Sequence, residues 1–281
     1  MSTSTAQDND PRRPGRSREE GRELKLLNFI KTHPDLAAIK GHPQKIIDLI
    51  DEFSQSYHFM TVGPEKGSII TEIIAERNPS TMIELGCYVG YSAILFGDAV
   101  RKAGGNKYYS LELNQDFADI ATQLVDLAGL GDFVQILVGR SDVLLNDLFD
   151  SGEVQQIELL FIDHYKPAYT LDLKLCEQLG KIIPDVSVII ADNVIYPGNP
   201  PYLEYVRSSV AEKKAAAAKG PVKSYVLDGF GNGTVQAFMG EENVPRFEIL
   251  GNPRLVYESV LRQPEGDKDA VEVTRCVGVQ A

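Results

Sequence analysis

Apolar residues change their period near Pro79. Before it the spacing is helical. Leu24, Leu27, Phe29 and Ile30 predict one apolar face, and Ile46, Ile47, Leu49, Ile50 and Phe53 predict a second. Ile69, Ile70, Ile73 and Ile74 predict a third, which stops at Asn78-Pro79. After Pro79, short apolar runs bounded by turn residues alternate with stretches of helical length. The runs are Met82–Leu85, Tyr108–Leu113, Phe133–Val138, Ile157–Ile162 and Val186–Ala191. Between them lie Tyr91–Ala103, Gln115–Ala128, Val143–Phe149 and Ala168–Lys181. Five such repeats predict an α/β fold, a doubly wound, mostly parallel sheet with right-handed crossovers. Beyond Arg207 the rhythm weakens. Glu212–Lys219 reads as a solvated helix end or spacer, and Ser224–Leu227 and Thr234–Met239 read as β-like pieces. Arg254–Leu261 and Ala270–Val277 flank the turn-rich Pro264-Glu265-Gly266-Asp267 and read as a C-terminal pair of strands. Residues 1–18 are polar and read as a disordered tail, with 19–281 as a single domain.

Composition removes several functions. Forty acidic against 28 basic residues leave a formal net charge of −12, which argues against a general binder of nucleic-acid phosphates. No apolar run approaches the roughly 18 residues of a membrane span, and no secretory h-region is visible. Cys87, Cys176 and Cys276 are odd in number and far apart, which excludes a disulfide scaffold and speaks against zinc. A reducing, cytoplasmic setting fits this usage.

The polar ends of the apolar runs carry the chemistry. In an open parallel sheet, ligands bind outside the carboxyl ends of the strands. The first run ends in Glu84-Leu85-Gly86-Cys87-Tyr88-Val89-Gly90, where glycines would let a ligand approach the backbone. Ser92 and the N–H groups of the next helix would suit a carboxylate or phosphate. The second run reaches Glu112, 22 residues after Gly90, where an acid can accept from both hydroxyls of a ribose. This is GxxxG preceded by Glu84 rather than GxGxxG, so it favours a ligand with an amino-acid end and a ribose, S-adenosylmethionine. Runs four and five end in Asp163-His164-Tyr165-Lys166 and Asp192-Asn193. Singly, each Asp could cap a loop. Together Asp163, Asp192 and Asn193 form an oxygen-only set that suits Mg²⁺, with Lys166 nearby as a base and His164 as a packing residue.

These residues resemble the cation-dependent O-methyltransferases, in particular the catechol O-methyltransferase group. The carrying segments are Met60-Thr61-Val62-Gly63, Glu84–Ala93 (ELGCYVGYSA), Leu111-Glu112-Leu113-Asn114 and Leu127-Ala128-Gly129-Leu130. Asp163-His164-Tyr165-Lys166 and Ala191–Pro200 (ADNVIYPGNP) complete them, so the likeness runs from about Lys25 to Arg207. The resemblance implies a class I, Rossmann-like methyltransferase with N-terminal helices and a C-terminal antiparallel hairpin. It implies that Val62, Glu84, Gly86, Tyr88, Ser92, Glu112, Ser141 and Asp163 hold S-adenosylmethionine. Asp163, Asp192 and Asn193 match Mg²⁺ ligands, and Lys166 matches the general base. Met60, Lys166, Asn193 and Pro197 match positions around a catechol. The implied partner is a small phenol met by a monomer or weak dimer, with no nucleic acid or membrane.

Three departures shape the expectation. The chain has no Trp, and His58 and Tyr165 stand where mammalian enzymes of this group carry Trp. Asp142 replaces a Gln near the adenine. A hairpin Glu that grips the second hydroxyl aligns with Arg262, near Glu258 and Glu265, across an insertion at about 208–254. A cation there would favour carboxylated rings over cationic catecholamines. Other vicinal diols, such as caffeoyl esters, remain open as acceptors. An NAD-dependent oxidoreductase is disfavoured by the GxxxG loop and the acid–amide set, and a non-catalytic binding protein by the presence of a base.

Overall fold

The computed structural model describes residues 20–225, 227, 230 and 244–281. The tail read at 1–18 and the β-like piece Thr234–Met239 lie outside the described residues. Four helices precede the sheet: α1 (Arg22–Lys31), α2 (Leu36–Ile39), α3 (Pro43–Phe53) and α4 (Gly63–Arg77). Pro43 opens α3, where a missing N–H costs nothing. Asn78 closes α4 in the left-handed conformation (φ 46°), and Pro79 prevents continuation. In α1 the buried residues are Leu26, Leu27 and Ile30, whereas Leu24 points to solvent. The expected face was therefore rotated: Leu24 lies two residues before Leu26, about 200° round the helix.

The alternating region forms β1 (Thr81–Leu85), α5 (Tyr91–Lys102), β2 (Lys107–Glu112), α6 (Gln115–Leu127), β3 (Val134–Val138) and α7 (Ser141–Asp150). It continues with β4 (Leu159–Ile162), α8 (Tyr169–Gln178), β5 (Val188–Ala191) and α9 (Pro200–Arg207). After α10 (Val210–Ala217) come β6 (Leu255–Arg262) and β7 (Val271–Val279). The described strands order as β3-β2-β1-β4-β5-β7-β6. The first five pair in parallel, and β7 runs antiparallel to both β5 and β6. Strands β4 and β5 are buried at every position because helices cover both faces of the sheet. Successive residues of β1 divide accordingly. Met82 belongs to the core on one face, which includes Ile50, Ile74 and Phe96, and Ile83 to the core on the other, which includes Leu145, Tyr169 and Ile189.

Of two further expectations, one holds but for a single residue and the other changes. Glu212–Lys219, read as a solvated helix end or spacer, covers the end of α10 and is largely exposed; the exception is Lys213, which is buried, donates to the Leu255 carbonyl and lies over the Tyr257 ring. The helix starts at a capping box between Ser209 and Glu212. Ser224 and Tyr225 are irregular, and the β-bridge of this stretch joins Val222 to Ile249. No helix among the described residues is long and apolar enough to cross a membrane.

Candidate functional site

Strand order reverses at β1, whose neighbours are β2 and β4, so the crevice opens at the carboxyl ends of these strands. Ladder bonds carry the strand ends into the loops in register. Gly86 N–H donates to Leu111, Asp163 N–H to Leu85, and Asp192 N–H to Ile162. The side chains after β1, β2, β4 and β5 thus start from one ledge.

On the β1–β2 side, Glu84 is fully buried and accepts from the Ser110 hydroxyl through Oε2, while Oε1 has no hydrogen-bond partner. Burial pushes its carboxyl up to about 8, against the opposing pull of the Ser110 hydroxyl. Glu112 accepts from the Cys87 and Tyr88 N–H groups (3.1 and 2.8 Å) and from Asn114 N–H (2.8 Å). It therefore fastens the glycine loop to the end of β2. Tyr88 adopts φ 50° and donates its hydroxyl to Glu23 of α1, a partner outside every motif read in the sequence. Ser92 and Ser141 occupy the first turns of α5 and α7. Val62 is buried at the start of α4.

The glycines also meet a packing demand of the fold. A Cβ on Gly86 (φ +96°) would sit 2.5 Å from the Asp163 carbonyl oxygen. On Gly90 (φ +88°) it would meet Ala121 at 3.1 Å. Close backbone packing against the end of β4 and against α6 requires glycine at both positions.

On the β4–β5 side, Pro167 sits in a 3-10 turn, Lys166–Ala168, that folds Lys166 back over the strand ends. Lys166 Nζ donates to Asp163 Oδ1 (2.9 Å), to Asn193 Oδ1 (2.8 Å) and to the Tyr169 hydroxyl. The Tyr169 hydroxyl donates toward Asp163 Oδ1 (3.4 Å) and the Asp192 carbonyl (3.3 Å). Asp192 is buried beside them and bonds to Lys66 of α4 at 2.5 Å. Burial first, and Asp163 next, push the Asp192 carboxyl up to about 7. His164 turns away, bonded to Asp172 (2.7 Å) and stacked on Tyr169, which agrees with a packing role.

Three groups were missed from the sequence. Lys66 and Asp269 form a buried pair at 2.7 Å against Asp192 and Asn193. Burial opposes the charge on Lys66, yet the two carboxylates hold its pKa well above the usual value. Burial would raise Asp269, but Lys66 holds it below the usual carboxylate range. Tyr169, three residues beyond Lys166, is the third. A signal for Lys66 existed: it falls on the apolar stripe of α4, in step with Ile70, Ile73 and Ile74.

Two expected residues lie elsewhere. Asp142 is not free for an adenine, because Arg140 clamps both its oxygens at 3.0 Å and Arg246 N–H adds a bond at 2.8 Å. Arg262 pairs with Glu72 on α4 at 3.6 Å, not with the Asp163–Asn193 cluster. The strand pairing aims it along the flank of α4, so the preference for carboxylated rings loses its basis. Met60 is 60 % exposed in the loop before α4, and Pro197 is exposed just after β5. Tyr165 meets Tyr225 of the inserted region edge-on at 5.5 Å.

A family model described as O-methyltransferase matches residues 43–213. The chain belongs to the O-methyltransferase family. It is 35 % identical over 189 residues to catechol O-methyltransferase of Bos taurus, covering 67 % of this chain and 67 % of that one. With catechol O-methyltransferase B of Danio rerio it shares 38 % identity over 193 residues, covering 68 % and 70 %. The fold resembles the O-methyltransferase TomG from Streptomyces achromogenes, solved in complex with SAM, with TM-score 0.53 and 17 % identity over 93 % of this chain and 100 % of that one. This O-methyltransferase is S-adenosylmethionine-dependent.

The buried Glu84 gives the fold a pH dependence. Its folded pKa of about 8 lies above its ordinary 4.5, so between those values the folded state holds a proton that the unfolded chain releases. Stability from this group is full below 4.5 and is lost as pH rises through 8. The melting temperature of the ligand-free protein, followed by calorimetry, is therefore expected to fall from about pH 5 to pH 8. Asp192 adds a slope of the same sign up to about 7. Glu84→Gln, which mimics the protonated acid, should flatten the Glu84 share; a wild-type curve that rises over this window would show an ionised Glu84.

Proposed function

We propose that this O-methyltransferase transfers the methyl group of S-adenosylmethionine to one hydroxyl of a catechol, with Mg²⁺ held by Asp163, Asp192 and Asn193. The observation that carries this reading is the convergence of Asp163 Oδ1 and Asn193 Oδ1 on a single ammonium group, Lys166 Nζ, beside buried Asp192. Among the described residues no cluster of three or more His, Cys, Asp or Glu is arranged to hold a metal. The set is instead two carboxylates and an amide, all hard oxygen donors, and its oxygens already draw in a cation. Such a set fits Mg²⁺, which keeps open positions for other ligands. The names of the bovine and zebrafish relatives support a catechol as acceptor.

When bound, Mg²⁺ supplies a Lewis-acid charge that favours the ionised form of a neighbouring hydroxyl. Lys166 Nζ, once neutral, accepts the proton of the acceptor hydroxyl, and Asp163, Tyr169 and Asn193 hold that nitrogen in place. The phenolate oxygen then attacks the sulfonium methyl in line, and the C–S bond breaks as the C–O bond forms. The main contribution of the protein to this step is positioning. Val62, Glu84, Gly86, Tyr88, Ser92, Glu112 and Ser141 are the residues assigned to the methyl donor. Met60, Asn193 and Pro197 are assigned to the acceptor, and charge neutralisation during transfer makes apolar walls tolerable there.

The test is a methyl-transfer screen over catechols and caffeoyl esters with and without Mg²⁺. Catechols should be methylated only when the divalent ion is present. Turnover confined to caffeoyl esters would move the acceptor to that class, and no turnover of any vicinal diol would sink the acceptor reading.

A further inference from the structure

Lys66 and Asp269 are buried charges at the site to which the chemistry above gives no task. A lysine on the apolar stripe of a helix is costly unless paired, and Lys66 is paired twice, with Asp192 Oδ1 (2.5 Å) and Asp269 Oδ2 (2.7 Å). Asp269 enters just before β7, outside residues 43–213 that carry the family match. Its Oδ2 also accepts from Asn193 Nδ2 at 2.8 Å. Its Oδ1 accepts the backbone N–H groups of Tyr196 (2.9 Å) and Ile195 (3.3 Å). One carboxylate thus grips Asn193, the backbone leading to Pro197 and, through Lys66, Asp192.

These bonds have a directional consequence. An Asn side chain presents either its oxygen or its NH₂ group to a site, and what faces the other edge decides which. With Asp269 taking Nδ2, Asn193 turns Oδ1 toward Lys166 and Asp163. Lys66 likewise restricts rotation of the Asp192 carboxylate by holding Oδ1. Asn193 itself adopts φ 56°, a left-handed conformation in which few residues rest without support.

We propose that Asp269 and Lys66 are positioning residues, which together fix the edges that Asp192 and Asn193 offer to a divalent cation. This assignment rests on the metal reading above. It makes the β6–β7 hairpin a part of the site through Asp269, where the sequence had pointed to Arg262.

The experiment is calorimetric titration of Mg²⁺ into the whole chain without acceptor, with S-adenosylmethionine affinity measured on the same samples. In Asp269→Asn the new NH₂ group would face two donors whichever way round it sits. Mg²⁺ affinity is expected to fall by about 10- to 100-fold while S-adenosylmethionine affinity is unchanged, the usual scale for losing a group that orients a metal ligand. That substitution also removes a negative charge. The double variant Lys66→Met with Asp269→Asn removes one charge of each sign and is expected to remain weak to the same degree. Recovery in the double variant would reduce Asp269 to a charge effect and overturn the assignment, as would unchanged Mg²⁺ affinity in the single one. If a variant no longer binds S-adenosylmethionine, Asp269→Glu replaces it, keeping the charge but moving it by one methylene, with the same expected loss. A wild-type chain that binds no Mg²⁺ would overturn the metal reading and this assignment together. Wild-type binding with unaffected variants overturns the assignment alone.

Discussion

Asp192→Ala is expected to lower kcat by about three orders of magnitude, because a Lewis-acid centre contributes several kcal/mol and each tenfold is about 1.4 kcal/mol. Asp192 emerges from a strand buried on both faces, so its carboxylate has little freedom to be replaced by a neighbour. Its removal takes away a carboxyl pushed up to about 7 and leaves Lys66 still paired with Asp269, so the fold should survive. S-adenosylmethionine affinity, measured by calorimetry, is the check on that survival. Wild-type protein stripped of metal in excess EDTA should match the variant. Full activity of the stripped enzyme, with metal removal confirmed, would refute the metal reading whatever the variant does.

Replacing Lys166 by Met is expected to lower kcat by roughly 10²- to 10⁴-fold, the range for losing a positioned general base. The accompanying result separates this from general damage. The Lys166 ammonium bonds the same Asp163 and Asn193 oxygens that are assigned to Mg²⁺, so its removal should leave Mg²⁺ affinity undiminished. Raising the pH should restore part of the rate in the variant, since a phenol that ionises in bulk water no longer needs the base. A variant with the rate and pH profile of the wild type would exclude Lys166 as the proton acceptor. Tyr169, whose hydroxyl touches Lys166 Nζ, would then be the group to examine.

Much of the architecture was legible before any coordinates. The five apolar runs after Pro79 became five parallel strands, and the pair after residue 254 became the antiparallel β6 and β7. Boundaries moved where a local bond intervened. Ile157 bridges Ile182 instead of extending β4, and Lys166 starts a 3-10 turn ahead of α8. The residues at the strand ends were legible for the same reason as the strands. A polar residue that ends a buried parallel strand must emerge at the carboxyl edge, so Asp163 and Asp192 were neighbours once β4 and β5 were.

Pairing between charges was not legible. Arg262 aligns with the hairpin Glu of the group, but its guanidinium reaches Glu72, and Asp142 spends its oxygens on Arg140. Lys213 stands in a run that looks solvated, and α10 buries it. Each case turns on which surface a side chain meets after packing, and periodicity does not carry that information.

The sequence by itself determined the order of elements, the apolar period of each strand and helix, and the edge of the sheet where chemistry gathers. These follow from local periods of two and 3.6 residues and from the turn residues between them. Only the tertiary structure decided that Lys66 joins Asp192 across 126 positions and Asp269 across 203. A buried charge takes its partner from whatever packing brings within about 3 Å, and that proximity is created when α4, β5 and the start of β7 close on one another.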